Sequence, residues 1–169
     1  MKAFRLNKKA ELPKFSTTGS ACFDIKACFD NNSKITYYNA LNKESVSHAR
    51  VINNKLCVQL YPMQKMLIPT GLIFDIPEGH VLKIYPRSGS SLKKSLVLAN
   101  GTGIIDSDYV EETYVILQNT SDAVVIIEDG ERIAQAMLEK TLVYTIEEVE
   151  ERPSQKTERN GGFGSTGIS

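Results

Sequence analysis

A chain of 169 residues with 41% hydrophobic and 24% charged positions is long enough for one domain, which at this size buries about two thirds of its unfolded surface without disulfide or metal staples. Twenty basic and twenty acidic side chains leave no formal net charge; this excludes the broad positive field of non-specific nucleic-acid binding, so a polyanionic ligand has to be met locally. Cys22, Cys28 and Cys57 lack metal-ligand spacing and an even count, so they read as reduced small hydrophobes, and no segment is apolar enough to span a bilayer. The opening MKAFRLNKKAELPKF has no signal-peptide run, and the expected location is the cytoplasm of the cell or of a host.

Residues 2–6 alternate and predict an edge strand, ended by the proline of Ala10-Glu11-Leu12-Pro13. In GSACFDIKA, residues 19–27, Ala21, Phe23, Ile25 and Ala27 alternate with Cys22, Asp24 and Lys26. That is a half-buried strand with Asp24 projecting from its polar face. Residues 31–55 are polar, with Tyr37, Tyr38 and a short helix expected around 42–49; the segment reads as a surface excursion. Solvated decoration is its simplest role, and a partner-binding site or an extra hairpin is the alternative. Strands follow at 56–61, 65–69 and 71–76, then a turn at Pro77-Glu78-Gly79 and a strand at 81–85.

Pro86 opens the stretch best suited to chemistry. Arg87, Ser88, Gly89, Ser90 and Ser91 supply a planar fork of donors, hydroxyls and amides that a glycine lets curl around an oxyanion. Taken alone, the same residues also make a polar turn leaving a strand. Asn100-Gly101-Thr102-Gly103 lies between the apolar runs 96–99 and 104–105, which predicts a β-hairpin with a glycine-rich tip. Such a tip lets backbone approach a flat ligand, with Asn100 adding an amide that donates and accepts; a plain hairpin with a wet turn fits equally. Asp106 follows two isoleucines and is expected to be partly desolvated, with Asp108 on the same side of an extended chain. Crowded carboxylates suit a general base for water, although hairpins also end in solvated Asp-x-Asp. Tyr109 adds a rigid ring with a polar tip.

Strands are expected at 113–118 and 123–127. In GERIAQAML, residues 130–138, Ile133, Gln135 and Met137 fall on one face and Ala134, Ala136 and Leu138 on the other, and a buried Gln135 requires a partner. Residues 141–149 form a last strand-like run. From 150 to 169 glycines and charges dominate, and GGFGSTG lacks the lysine and preceding strand of a Walker loop. The organisation is therefore an all-β barrel or sandwich over 1–149 and a mobile arm over 150–169.

Five stretches, GSACFDIKA, PRSGSS (86–91), ANGTGIIDSDY (99–109), GERIAQAML and RNGGFGSTG (159–167), resemble the trimeric dUTPase family and stand in that family's order. The similarity covers most of the chain apart from residues 30–58. It implies a jelly-roll-like barrel, a homotrimer with active sites shared between subunits, and hydrolysis of dUTP to dUMP and diphosphate with Mg2+, which limits uracil in DNA and supplies dUMP for thymidylate synthesis. By resemblance, Asp106 orients and deprotonates the attacking water. Arg87, Ser88, Gly89 and Gln135 hold the triphosphate, and Asp24 holds a magnesium-bound water from the outer shell. Asn100, Gly103, Ile104 and Ile105 read the uracil edge, while Tyr109 packs under the sugar and leaves no room for a 2′-hydroxyl. Arg159 reaches the phosphates, Phe163 covers the base, and Gly164, Ser165 and Thr166 close on the terminal phosphate.

Two departures stand out: Val110-Glu111 where the family has Arg-Gly, and the long segment 31–55. The alternatives are a dCTP deaminase of the same fold and a nucleotide-dependent interaction module acting through 31–55.

Overall fold

Period-two alternation folds into strands almost throughout. The computed structural model describes residues 1–158; the expected contacts of Arg159, Phe163, Gly164, Ser165 and Thr166 lie outside them. In chain order the strands are β1 (Lys2–Arg5), β2 (Phe23–Lys26), β3 (Lys34–Tyr38), β4 (Glu44–His48), β5 (Arg50–Ile52), β6 (Lys55–Leu60), β7 (Lys65–Pro69), β8 (Leu72–Asp75) and β9 (His80–Tyr85). A short helix, α1 (Ser88–Lys94), precedes β10 (Leu96–Leu98), β11 (Gly103–Ile105), β12 (Tyr114–Asn119), β13 (Val125–Glu128) and β14 (Arg132–Lys140).

Two sheets carry the architecture: β10-β12-β7-β3-β4 and β11-β9-β14-β2, flanked by β13-β6-β5 and the pair β1-β8. Their inward residues meet in one core in which Ile25, Leu60, Ile68, Leu82 and Ile127 are fully buried. Phe23, Ile25 and Ala27 face inward as the alternation requires. All three cysteines are free, and burial pushes the Cys28 thiol up to about 11, so it stays protonated.

Residues 31–55 are not a loose excursion, and 42–49 is not helical. β3 and β4 form an antiparallel hairpin from Lys34↔His48 to Tyr38↔Glu44, and β3 also joins β7 through Tyr37↔Met66, burying Ile35. The turns of this region use asparagines at positive φ, Asn42 in one hairpin and Asn53-Asn54 between β5 and β6. Asparagine tolerates that backbone because its short amide bonds locally. The helical expectation failed because ESVSH, with Ser45 and Ser47 between Glu44, Val46 and His48, has period two and no helical stripe.

Residues 88–94 form a helix rather than the expected turn. Leu92, its one large apolar residue, is exposed and Ser90 is buried, so no hydrophobic period announced it. The helix stops at Ser95, whose φ of 52 leaves the right-handed region. The last expected strand, 141–149, is also absent: β14 ends at Lys140, and every residue beyond it in that run is exposed.

One glycine is required by both backbone and space. Gly71 has φ +66, and a Cβ there would stand 3.0 Å from Ala10 Cβ, Asn7 Cβ and Cys28 Sγ. Its carbonyl accepts from the amides of Leu6 and Asn7, fastening the segment after β1 to the barrel. Gly71→Ala combines left-handed strain with overpacking and is expected to cost about 2–5 kcal/mol of stability. Urea unfolding would show this as a lower midpoint at unchanged slope.

Candidate functional site

The two apolar runs flanking the glycine-rich turn do not pair with each other. β10 pairs β12 through Leu96↔Asn119 to Leu98↔Leu117, whereas β11 pairs β9 through Gly103↔Ile84 to Ile105↔Leu82. The expected hairpin is therefore split, with its arms in different sheets. Each arm is an edge strand, so its backbone on the open side has no strand partner among the described residues. Gly101, with φ +70, and the bonds Gly101 N–H to Leu98 O (3.1 Å) and Thr102 N–H to Asn100 O (2.8 Å) carry the chain across the gap.

The gap is a cavity of about 310 Å³ lined by Leu98, Asn100, Gly103, Ile104, Ile105, Asp106 and Tyr109, with Ile84 and Val115 beneath. Apolar walls with unpaired amides and carbonyls along one edge suit a flat heterocycle. A Cβ on Gly103 would stand 3.0 Å from Ile84 Cβ, so any larger residue there would press on the slot's wall.

Asp106 lies at the rim and is exposed, not desolvated as expected. The chain leaves β11 as a turn, with Tyr109 N–H bonding Asp106 O at 3.2 Å, so Asp106 and Asp108 are not neighbours along an extended strand. The Asp106 carboxylate bonds no side chain among the described residues, which leaves it free to accept from water. The Tyr109 hydroxyl donates to Glu112 O at 2.9 Å, fixing the ring at the mouth. Tyr114, on the wall, has its hydroxyl pushed up to about 12, first by partial desolvation and then by its bond to Glu112; at neutral pH it is an uncharged donor.

A second cleft, of about 380 Å³, gathers Asp24, Arg87, Ser88, Gly89 and Gln135, together with Ser16, Ser20 and Arg132. Arg87 Nε donates to Asp24 Oδ1 at 2.7 Å, and Arg132 Nη1 to Asp24 Oδ2 at 3.1 Å. Gln135 has the partner its position required, donating from Nε2 to Pro86 O at 2.9 Å. Arg87 is the N-cap of α1 without a side-chain cap bond, so first-turn amides at Ser88 and Gly89 remain open toward this polar cleft. Hydroxyls, open amides and guanidiniums together are an anion-binding set.

The two cavities have no lining residue in common. Arg132 and Tyr114 were not singled out by sequence reasoning. The charge in GERIAQ was visible, but the cleft it enters depends on a strand irregularity that no residue pattern marks.

Comparison with known proteins agrees with this geometry. The model of the dUTPase family matches residues 52–167. The chain is 37% identical to the deoxyuridine 5'-triphosphate nucleotidohydrolase of Hydrogenobaculum sp. (strain Y04AAS1), over 97% of this chain and 95% of that one. The enzyme of the same description from Finegoldia magna is also 37% identical, with 99% of each chain covered. Both match nearly end to end, so they have room for the segment 31–55. Among solved structures, the Staphylococcus bacteriophage 80alpha dUTPase G164S mutant with dUpNHpp superposes with a TM-score of 0.71 at 25% identity, covering 99% of this chain and 98% of that one.

Proposed function

The chain belongs to the dUTPase family and is a dUTP nucleotidohydrolase, and from that premise we propose that the split hairpin takes the deoxyuridine of one substrate while the Asp24–Arg87 cleft of another subunit takes its phosphates. The carrying observation is the separation of the two half-sites, each chemically incomplete alone: one has an apolar slot and a free carboxylate, the other the cations and open amides.

In this reading uracil lies in the slot, its edge bonded by Asn100 and the backbone of Gly103, Ile104 and Ile105. The Tyr109 ring packs against the sugar, where a 2′-hydroxyl would be buried without a partner. Asp106 accepts a proton from water, whose oxygen attacks the α-phosphorus as diphosphate leaves. Arg87, Ser88, Gly89 and Gln135 hold the oxygens that gain charge.

Magnesium fits as an ion carried by the triphosphate. No cluster of three metal-ligating side chains occurs among the described residues, and both Asp24 oxygens are engaged by arginines. Asp24 is thus suited to hold a metal-bound water rather than the ion. When bound, the metal withdraws charge from the phosphate oxygens and limits their conformations. Arg159, Phe163 and the Gly164-Ser165-Thr166 run complete the site as an arm over the substrate.

In this reading the chain assembles as a homotrimer with shared sites, and its exposed apolar side chains support self-association. Leu142, Val143, Tyr144 and Ile146 are each at least 75% exposed, an apolar run of the kind that marks a contact surface. The outer edge of β1, unpaired among the described residues, offers backbone for another strand. Mixing tests the proposal directly. Asp106→Asn and Arg87→Ala, each nearly inactive alone, are unfolded together in equal amounts and refolded. Random trimers then regain about a quarter of the parent rate, because a site needs Asp106 from one chain and Arg87 from another. A mixture as inactive as its components would place both residues in a single-chain site.

A further inference from the structure

β14 is not regular where it enters the phosphate cleft. Its register on β2 runs Gln135↔Asp24 and Ala134↔Ile25, and then skips to Arg132↔Lys26. The extra residue is Ile133, which is buried in the core. Strict alternation would have put Ile133 on the face of Gln135 and turned Arg132 to the other side. The bulge exchanges them, so Arg132 shares the face of Gln135 and Asp24. Re-aiming one side chain is what a bulge beside a functional site does.

We infer that Arg132 is a second guanidinium for the triphosphate, on its β and γ phosphates, and that Asp24 is the counter-ion that keeps it at the cleft until the phosphates arrive; this rests on the phosphate reading of the cleft. Arg132 uses one of its five donors on Asp24, and its side chain is 55% exposed, against 24% for Arg87. Arg87 also donates from Nη1 to Arg132 O at 3.2 Å, which ties the two arginines into one unit. The neighbouring lysines are already matched, Lys26 with Glu11 and Lys94 with Glu131. Two arginines against one aspartate leave the local excess of positive charge in the cleft. The Asp24 carboxylate there stands in for an oxyanion, and an arriving phosphate takes over the outer arginine while Arg87 remains anchored. The slot and the cleft share no lining residue, so a ligand seated by its base in the slot needs its phosphate chain to reach Arg132, and the comparison with dUMP tests whether the β and γ phosphates make that contact.

Calorimetric titration with α,β-imido-dUTP and with dUMP tests this. Arg132→Ala is expected to weaken the triphosphate analogue roughly tenfold to a hundredfold, the range for a lost charged hydrogen bond, while dUMP affinity changes less than about twofold. Arg132→Lys recovers part of the loss, because it keeps charge but not the fork. The dependence of analogue binding on salt becomes shallower in the alanine variant. Equal weakening of both ligands would make Arg132 a brace for the cleft and overturn the assignment, as would unchanged binding of both. If Arg132→Ala does not fold, the lysine variant decides: parent-like analogue binding at one salt concentration and parent-like salt dependence together overturn the fork contact. A parent protein that binds dUMP but not the analogue overturns the triphosphate reading of the cleft itself.

Discussion

Asp106→Asn is expected to slow dUTP hydrolysis by about 10²–10⁴-fold, the span typical for loss of a positioned general base, while leaving binding of a non-hydrolysable dUTP analogue near the parent value. Asparagine keeps the size and reach of the side chain but cannot accept the proton from water. The carboxylate is at the slot rim, exposed and bonded to no side chain among the described residues, so its replacement disturbs no structural network and folding stability should hold. Single-turnover rates with excess enzyme separate chemistry from binding. A variant within about threefold of the parent rate would pass the role to Asp108, which is exposed on the same turn.

The second large effect is expected from removing the arm. A chain ended after Ser154 keeps all strands and every residue of both cavities, so the melting temperature of the substrate-free protein should move little. Catalysis should fall much further, with kcat down by on the order of a hundredfold or more and a smaller loss in affinity. Arg159 and Phe163 are the residues responsible in this proposal: a guanidinium and a covering ring that exclude water act mainly in the transition state. Phe163→Ala and Arg159→Ala should each reproduce part of the loss. Parent turnover by the truncated protein would remove the arm from the mechanism, and failure to fold would make it structural.

Alternation was enough to read most strands outside residues 31–55, where β3, β4 and β5 went unread, and it overread 141–149. Phe23, Ile25 and Ala27 announce β2, and the turn at Gly79, with φ +73 and His80 N–H bonding Pro77 O at 3.1 Å, was visible as composition. Partners across the fold were not. Leu96–Leu98 and Gly103–Ile105 look like two arms of one hairpin because turn chemistry is local, whereas their allegiance to β12 and β9 is decided by residues far along the chain. The bulge at Ile133 was hidden for the same reason: an apolar residue fits either face of a pattern, and only the register on β2 shows which face it took. Motif order singled out Asn100, Gly103, Ile104, Ile105, Asp106 and Tyr109 in one cavity and Asp24, Arg87, Ser88, Gly89 and Gln135 in the other, but not Tyr114 or Arg132, and no single-chain pattern divided them into two half-sites. Residues 141–149 alternate as a strand yet join no sheet among the described residues, a pattern the sequence cannot distinguish from an internal strand.

Ile84, Leu98 and Val115 form the floor of the slot and are also core residues, each 6% exposed or less. Adaptation of this enzyme to another base is therefore unequal in its routes. Enlarging the floor to admit a bulkier ring would open a cavity in the barrel, and large-to-small changes at such positions cost about 2–5 kcal/mol, a large share of a domain's whole stability. Asn100, Ile104 and Tyr109 stand exposed at the mouth and can change with little effect on folding. Descendants of this chain with altered base preference should carry their substitutions at the mouth first, and reach the floor only after stabilising changes elsewhere have made room for the loss.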